Sequence, residues 1–178
     1  GDRLRIAVER EAKGVLWGAL ADILEPSPHR RDATGCCPVG RHCGACGWLH
    51  FAYPAQAEWK RRIVLDCLQR IARIDADVEW VEDPDLRLGY RTRAEFHGDG
   101  AHWGYYLRAT HAICPVRECP LCHPHLNAAL ERLWQAKLTD SVEITVNPEA
   151  SDEVLVWTKQ HHSVLTRLFP GYNSLRSR

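Results

Sequence analysis

Eight cysteines in a chain of 178 residues are the residues whose types and spacing could do chemistry. Six of them form two tight groups, with the patterns C-x5-C-x2-C over 37–46 and C-x4-C-x2-C over 114–122. A Cys-x2-Cys pair can place both sulphurs on one metal centre, and Gly44 frees the backbone between them to turn tightly. Three thiolates from one loop need a fourth ligand, which the second group can supply. The candidates are Cys37, Cys43, Cys46, Cys114, Cys119 and Cys122.

Two kinds of metal centre fit this spacing. An iron–sulphur cluster is typically held by four thiolates, here the three of the first group and one of the second. Structural zinc also takes four ligands, often as two Cys-x2-Cys pairs, and this alternative leaves Cys37 unused. The ligands of the zinc alternative are Cys43, Cys46, Cys119 and Cys122. Spacing alone favours neither metal. We expect Cys36, Cys67 and Cys114 to take no part in the centre.

Composition limits the partners and the compartment. Lys and Arg number 23, as do Asp and Glu, so the formal net charge is zero and any RNA contact must come from a local patch. No apolar stretch approaches the roughly 20 residues of a membrane span, and no secretory segment opens the chain. Clustered thiols without such a segment indicate metal ligands in a reducing cytoplasm. The chain starts at Gly1 and contains no Met, so we expect a fragment.

The elements that must position the cysteines follow from hydrophobic periodicity. The pattern predicts strands at 3–9 and 15–24, a linker at 25–35 and a cysteine-rich loop at 36–50. The longest predicted helix covers about 56–74. Its expected buried face consists of Trp59, Ile63, Leu65, Leu68, Ile71 and Ile74.

The second half of the chain predicts more strands and one more main helix. A hairpin is expected from 92–98 and 102–108, with the turn HGDG between its strands. Trp103, Tyr105 and Tyr106 are interpreted as core residues of this hairpin, with a stacking platform for an unpaired base as the alternative. The remaining predictions are a short strand at 78–82, a loop at 111–124, a helix at 125–137 and a β pair at 141–147 and 153–159. The fold class is therefore α+β, with antiparallel strands and two main helices behind a small β unit.

The segment CPVGRHCGACGWLHFAYPAQAEWK resembles the cluster loop and following helix of the RNA (uracil-5-)methyltransferase family. That family's pattern is C-x5-C-G-G-C, then Gln-His, Tyr, Gln and Lys at fixed offsets. The matching residues are Cys37, Cys43, Gly44, Cys46, His50, Tyr53, Gln56 and Lys60. Ala45 and Leu49 depart from the pattern, and neither departure removes a ligand. The resemblance continues through 89–93 and through 109–127, where His111 and Cys119-Pro120 match the family's His and Cys-Pro.

The resemblance implies a ligand set and a domain order. The family's Cys-Pro supplies the fourth ligand of a [4Fe-4S] cluster, so Cys119 is expected to be a ligand and Cys122 is not. GALADILEPSPHR resembles the end of a TRAM domain, a small OB-like barrel that binds RNA. The implied order is the C-terminal part of a TRAM domain at 1–30, the cluster loop at 31–50 and a central α+β domain at 51–178. FPGYN at 169–173 resembles a base-contacting segment of the family, with Gly171 in place of Gln.

The resemblance also implies an activity. Family members methylate C5 of a uridine with S-adenosylmethionine: a catalytic cysteine attacks C6, and a carboxylate later removes the C5 proton. The chain is expected to stop before the Rossmann-like catalytic domain and to be inactive alone. The expected partner is RNA, ribosomal 23S RNA rather than transfer RNA, and the chain is expected to be a cytoplasmic monomer. The candidate RNA-binding residues are Lys60, Arg61, Arg62, Arg91 and Arg93.

Two other function classes stay open. A stand-alone RNA-binding module could use the zinc alternative, and the thiols could belong to a redox protein. The absence of a second cluster motif or a flavin motif in the sequence argues against electron transfer.

Overall fold

The structure, a computed structural model, describes residues 1–160 and 162–170. His161 and the part of the FPGYN segment from Gly171 onward lie outside the described residues. The chain forms two compact units, each built from two stretches of sequence. The first unit contains 1–33 and 48–80, and the second contains 34–47 and the chain from Val81 onward.

An antiparallel hairpin opens the first unit. Strand β1 covers Arg3–Ala12 and strand β2 covers Val15–Glu25. Lys13 and Gly14 both have positive φ, 53° and 73°, which is what a two-residue turn between twisted strands requires. The two strands expected at 3–9 and 15–24 are therefore confirmed.

Backbone and side-chain bonds hold the segment that follows the hairpin. The Arg30 guanidinium donates to the Asp2 carboxylate, with 2.9 Å from Nε to Oδ1, and the Ser27 N–H donates to the same oxygen. The Ala52 N–H donates to the His29 carbonyl at 2.7 Å. These bonds connect the 27–30 segment to the start of β1 and to Ala52, the residue before the first helix. All of these residues lie in the first unit.

Helix α1 covers Tyr53–Cys67 and continues as a π-helical turn, Leu68–Ala72. It ends where Arg73 adopts a left-handed conformation with φ of 60°. The predicted helix is confirmed, but its predicted buried face is wrong. In the described chain Ala55 is the buried residue of α1, whereas Trp59 is 44% exposed and Ile71 is 75% exposed.

The strand predicted at 78–82 is also wrong. This segment pairs with no strand among the described residues, and Val81 is 84% exposed. The segment is held at Val78, whose carbonyl accepts a hydrogen bond from Arg61 Nε at 2.6 Å. A β-rich sequence does not form a strand where no neighbouring backbone satisfies its N–H and C=O groups.

The second unit is built on a five-stranded antiparallel sheet. Its order is β5-β4-β3-β6-β7. The strands are β3 (Arg93–Gly98), β4 (Trp103–Tyr106), β5 (Ile113–Pro115), β6 (Ser141–Val146) and β7 (Val154–Thr158). The predicted hairpin and the predicted β pair are confirmed. Strand β5 lies in the segment that was predicted as a loop.

Helix α2, Pro124–Leu133, covers one face of this sheet. Leu126, Leu130 and Leu133 are fully buried and recur at helical spacing, as a core-facing stripe requires. Burying each such side chain contributes about 1.5–3 kcal/mol. A short helix α3, Ser163–Leu168, was not predicted and contacts α2. Trp103 and Tyr105 belong to the same core, as expected, whereas Tyr106 is only partly buried.

The two antiparallel sheets and three α-helices confirm the α+β class. None of the helices in the described chain has both the length and the apolar character that a membrane crossing needs.

Candidate metal centre

The loop carrying the first cysteine group docks along the β4–β5 hairpin of the second unit. The Cys43 N–H donates to the Val39 carbonyl at 2.9 Å, which closes a turn before the Cys-x2-Cys pair. The Gly44 N–H then donates to the Tyr106 carbonyl at 2.8 Å. A Cβ on Gly44 would lie 2.8 Å from that carbonyl oxygen, so glycine is required here for close approach. Ala45, the next residue, is partly buried against the core.

A second bond closes the loop after Cys46. The Cys46 carbonyl accepts a hydrogen bond of 2.5 Å from Arg108 Nη2. The backbone N–H of Arg108 donates to the His42 carbonyl at 3.0 Å. Both ends of the Cys-x2-Cys pair are therefore fixed to the same hairpin.

The second cysteine group ends in a tight turn before α2. The Cys122 N–H donates to the Cys119 carbonyl at 2.9 Å, with Pro120 at the second position, where its fixed φ suits a type I or II turn. Asn127 of α2 holds this turn from outside. Its Oδ1 accepts from the Cys119 N–H at 2.9 Å, and its Nδ2 donates to the carbonyls of Cys119 and Cys122 at 3.1 and 3.3 Å.

The charges of the four predicted ligands influence one another's pKa values. The Cys37 thiol interacts with those of Cys119 and Cys43, and the Cys46 thiol interacts with all three. Cys37, Cys43 and Cys119 are buried, and Cys46 is half-buried. As placed, no three His, Cys, Asp or Glu side chains in the described chain stand close enough together to hold a metal ion.

The remaining cysteines divide into two classes. Cys114 and Cys122 are buried in the same unit as the four predicted ligands. Cys36 is exposed, and Cys67 is exposed on α1 in the other unit. The second unit therefore holds seven cysteines, three more than a four-thiolate centre uses, with Cys36 exposed.

The thiols differ in how readily they lose a proton. Burial raises the pKa of Cys46 to about 11 and also raises the pKa of Cys37. The hydrogen bond from Cys122 lowers the pKa of Cys119, and the N–H groups of Leu121 and Cys122 act in the same direction. Because metals bind the thiolate, the lowered pKa favours the form of Cys119 that a metal would bind. An all-thiolate donor set fits zinc or an iron–sulphur cluster.

Three residues of this region were not identified as part of the site from the sequence. Arg91 was predicted to bind RNA, but it is half-buried and its charge acts on Cys46 and Cys119. The Tyr105 hydroxyl lies 3.5 Å from the Cys122 sulphur. Asn127 is the third. The only sequence signal for it is an Asn in the first turn of a helix directly after a Cys-x2-Cys pair.

The other predicted RNA-binding residues mostly have partners within the chain. Arg61 donates to Asp77 at 2.8 Å, Arg62 pairs with Glu58 on the next turn of α1, and Arg93 makes two bonds of 2.9 Å to Glu143. The Lys60 ammonium lies 5.9 Å from the centre of the Trp48 ring. Phosphate contacts by these arginines would have to compete with existing ion pairs.

Comparisons with known proteins give a consistent result. No protein-family model matches the chain. An uncharacterized RNA methyltransferase of Nostoc is 33% identical over 141 residues, which is 76% of this chain and 30% of the relative. A second from Caldanaerobacter subterraneus is 33% identical over 131 residues, 71% of this chain and 28% of the relative. A third from Thermotoga maritima is 30% identical over 119 residues, 67% of this chain and 26% of the relative.

The chain spans about 30% of the length of these curated relatives. Their shared name and the similar level of identity across them confirm the resemblance seen in the cysteine loop. Over about three quarters of its length, this chain is therefore a homologue of RNA methyltransferases.

Proposed function

We propose that this chain forms the RNA-binding and iron–sulphur-bearing part of an S-adenosylmethionine-dependent RNA (uracil-C5)-methyltransferase that acts on 23S ribosomal RNA. The observation that carries the proposal is the occurrence of four cysteines within one unit, three of them buried, in a chain related to RNA methyltransferases. The four are Cys37, Cys43, Cys46 and Cys119.

The proposed [4Fe-4S] cluster has a structural role in this scheme. It would join the 34–47 loop to the turn before α2. Both segments belong to the second unit. Because no three ligand side chains in the described chain stand close enough as placed, the scheme requires the cysteine side chains to rotate about χ1 toward one centre when the cluster binds. The hairpin of the first unit is assigned to an OB-like TRAM domain, on the resemblance of 18–30.

Methyl transfer itself is assigned elsewhere. S-adenosylmethionine supplies the methyl group in this reaction class, and we place its binding and the catalytic cysteine in the part of the relatives that this chain does not match. The 178 residues would hold and orient the RNA, and the chain alone is expected to be inactive.

Metal analysis of protein prepared without oxygen tests the centre. About four iron atoms and four acid-labile sulphides per chain, with visible charge-transfer absorbance, are expected for the cluster. One zinc ion without sulphide would instead support the alternative, a stand-alone zinc-binding RNA-binding module. A chain without any bound metal would contradict both.

Two matched substitutions then distinguish the ligand set of the cluster from that of the zinc alternative. The cluster scheme uses Cys37 and not Cys122, whereas the zinc scheme uses Cys122 and not Cys37. Cys37→Ser is expected to abolish the four-iron stoichiometry, and Cys122→Ser is expected to retain it. The exposed Cys36, adjacent in sequence, is the control. The reverse pattern of loss would overturn the ligand assignment.

RNA titrations test the binding half of the proposal. Three to five phosphate contacts would give a slope of log affinity against log salt of about −2 to −5. Arg62→Glu is expected to weaken binding to 23S fragments. Arg70→Glu is the matched control, because Arg70 follows on the same helical segment and is likewise paired four residues back, with Asp66. No affinity for 23S fragments at low salt, or equal affinity for transfer RNA, would contradict the assigned substrate.

A further inference from the structure

The face of the five-stranded sheet that points away from helix α2 keeps accessible side chains. Strands β3 and β6 alternate strictly, so that every second residue is buried under α2 and the residues between are exposed or only partly buried. The central side chains of this second face, called the open face below, are Arg93, Glu95, His97, Tyr106, Glu143 and Trp157.

Two aromatic surfaces lie on the open face. The His97 and Tyr106 rings are stacked, with centroids 3.8 Å apart and an interplanar angle of 8°. They line a cavity of about 470 Å³ together with Arg108. Trp157 lines a second cavity, of about 400 Å³, together with the exposed Lys159. Accessible flat rings bordered by cations are the surfaces on which unpaired bases stack.

The polar groups between these rings suit the edge of a base better than a phosphate. Glu95 stands directly opposite Glu143, and Glu143 stands opposite Trp157. Arg93 bonds to both oxygens of Glu143, whereas Glu95 forms no ion pair with any of the described residues. Facing carboxylates destabilise a sheet, and an ionised carboxylate accepts hydrogen bonds without donating any. Glu95 is therefore an acceptor beside the rings that a donor from outside the chain would satisfy.

The same charges argue against a protein as the occupant. The centres of protein–protein interfaces are depleted of charged residues, whereas Arg93, Glu95 and Glu143 occupy the middle of the open face. A nucleobase, in contrast, combines a flat ring with hydrogen-bonding groups along its edge.

We propose that the open face binds single-stranded RNA, with one base stacked on the His97–Tyr106 pair, a second stacked on Trp157, and a base amino group bonded to Glu95. The inference rests on the RNA substrate proposed above and concerns bases other than the methylated uridine. Arg108 and Lys159 contact the phosphates in this scheme. Stacking tolerates any base, but the Glu95 contact favours cytosine over uracil, because N4 of cytosine donates where O4 of uracil accepts.

Fluorescence anisotropy of the full chain with labelled oligocytidine and oligouridine of equal length tests the open face. The wild type is expected to bind oligocytidine more tightly than oligouridine. Trp157→Ala is expected to weaken binding of both by about 5- to 150-fold, which corresponds to the loss of one stacked base. Trp80→Ala is the matched control, because it removes a tryptophan that is 38% exposed in the other unit. It should bind both RNAs like the wild type.

Conservative variants decide the question if Trp157→Ala fails to fold. Glu95→Gln keeps the shape of an exposed side chain but presents a donor as well as an acceptor. Its affinities for the two oligonucleotides should therefore become equal. Tyr106→Phe keeps the ring and should bind like the wild type, whereas Tyr106→Leu should bind both RNAs more weakly.

Four results would overturn the inference, and the first three leave the proposed function intact. Wild-type affinity for 23S fragments and both oligonucleotides in every variant would place RNA binding elsewhere on the chain. Equal wild-type affinity for oligocytidine and oligouridine would remove the Glu95 contact. A dimer in sedimentation that Trp157→Ala abolishes would assign the open face to a second copy of the chain. A wild type that binds no RNA at all, 23S fragments included, would remove the proposed RNA binding and this inference together.

Discussion

At the scale of single residues, Asn127 does the most to shape the proposed centre without belonging to it. One amide side chain satisfies the Cys119 N–H and two carbonyls of the turn. No sequence pattern could predict this, because the contact depends on where α2 begins relative to the turn. The cysteine spacing, in contrast, was sufficient to select candidate ligands, whereas the choice of Cys119 over Cys122 came from the family resemblance and stays a prediction.

Replacing Asn127 with Ala is expected to destabilise the chain. The substitution leaves the buried Cys119 N–H and the Cys122 carbonyl without the Asn127 partner, whereas the Cys119 carbonyl keeps its bond from the Cys122 N–H. Each group left without a partner costs about 1–3 kcal/mol. Urea unfolding measures the loss. Asn127→Asp is the matched control, since it keeps the acceptor for the Cys119 N–H while removing the two donated bonds. It should lose less stability than the alanine variant, and an equal loss would show that the acceptor is unimportant.

A second residue-scale prediction concerns acid. The hydrogen bond from Arg30 lowers the pKa of Asp2, and the Ser27 N–H contributes in the same direction. The folded state therefore favours the carboxylate, so this stabilisation is present above the ordinary Asp pKa of about 4 and is lost as the pH falls through the lower folded value. Thermal unfolding between neutral and acidic pH measures it.

Asp2→Asn should unfold at a lower temperature than the wild type near neutral pH, and the two curves should converge in acid. Arg30→Gln removes the same pair and should give the same result. A constant difference between wild type and Asp2→Asn at all pH values would contradict the ion pair as the cause.

At the scale of elements, the cysteine loop and the β4–β5 hairpin form one structure. The Gly44 N–H bonds to the Tyr106 carbonyl, and the Arg108 N–H bonds to His42. The sequence predicted the loop and the β3–β4 hairpin, but it predicted neither the β4–β5 pairing nor the docking of the loop along it. Strand β5 was missed because it has three residues, one of them a cysteine already assigned to the loop chemistry.

Gly44→Ala tests that docking. The new Cβ would lie 2.8 Å from a carbonyl oxygen of the hairpin, which forces the two backbones apart and is expected to cost about 1–3 kcal/mol. Gly47→Ala is a close control in the same loop, because a Cβ there meets no atom within 4 Å. Thermal unfolding and metal content should change in the first variant only. Equal behaviour of both would show that the loop is not held by this contact.

The errors of sequence analysis at this scale share one cause. The α1 face and the 78–82 segment carry strongly apolar residues, and both are largely exposed in the described structure. Periodicity indicates that a face is suited to burial, but it does not supply the layer that buries it. The hairpin and the β6–β7 pair were predicted correctly because their partner strands are close in sequence, so local patterns were sufficient.

At the scale of the whole molecule, the proposed metal closes a long loop. Cys46 and Cys119 are about 70 residues apart in sequence. A crosslink over such a length restricts the unfolded chain and by the chain-entropy relation contributes up to about 4 kcal/mol. Cys43→Ser is therefore expected to lower the melting temperature of metal-loaded protein. Chelator-treated wild type should melt near the same temperature as the variant, and unchanged melting in both would show that the centre is not structural.

The second unit is discontinuous, since its first segment ends at Gly47 and its chain resumes at Val81. During synthesis, the second segment of this unit is therefore made later than the first. At about 5–20 residues per second, Cys119 follows Cys46 by roughly 4–15 s. For that interval three thiols have left the ribosome while their fourth partner, the hairpin that docks their loop and the helix that holds the turn do not yet exist. The newly made chain therefore depends on its surroundings to keep those thiols reduced until the second half of the unit arrives.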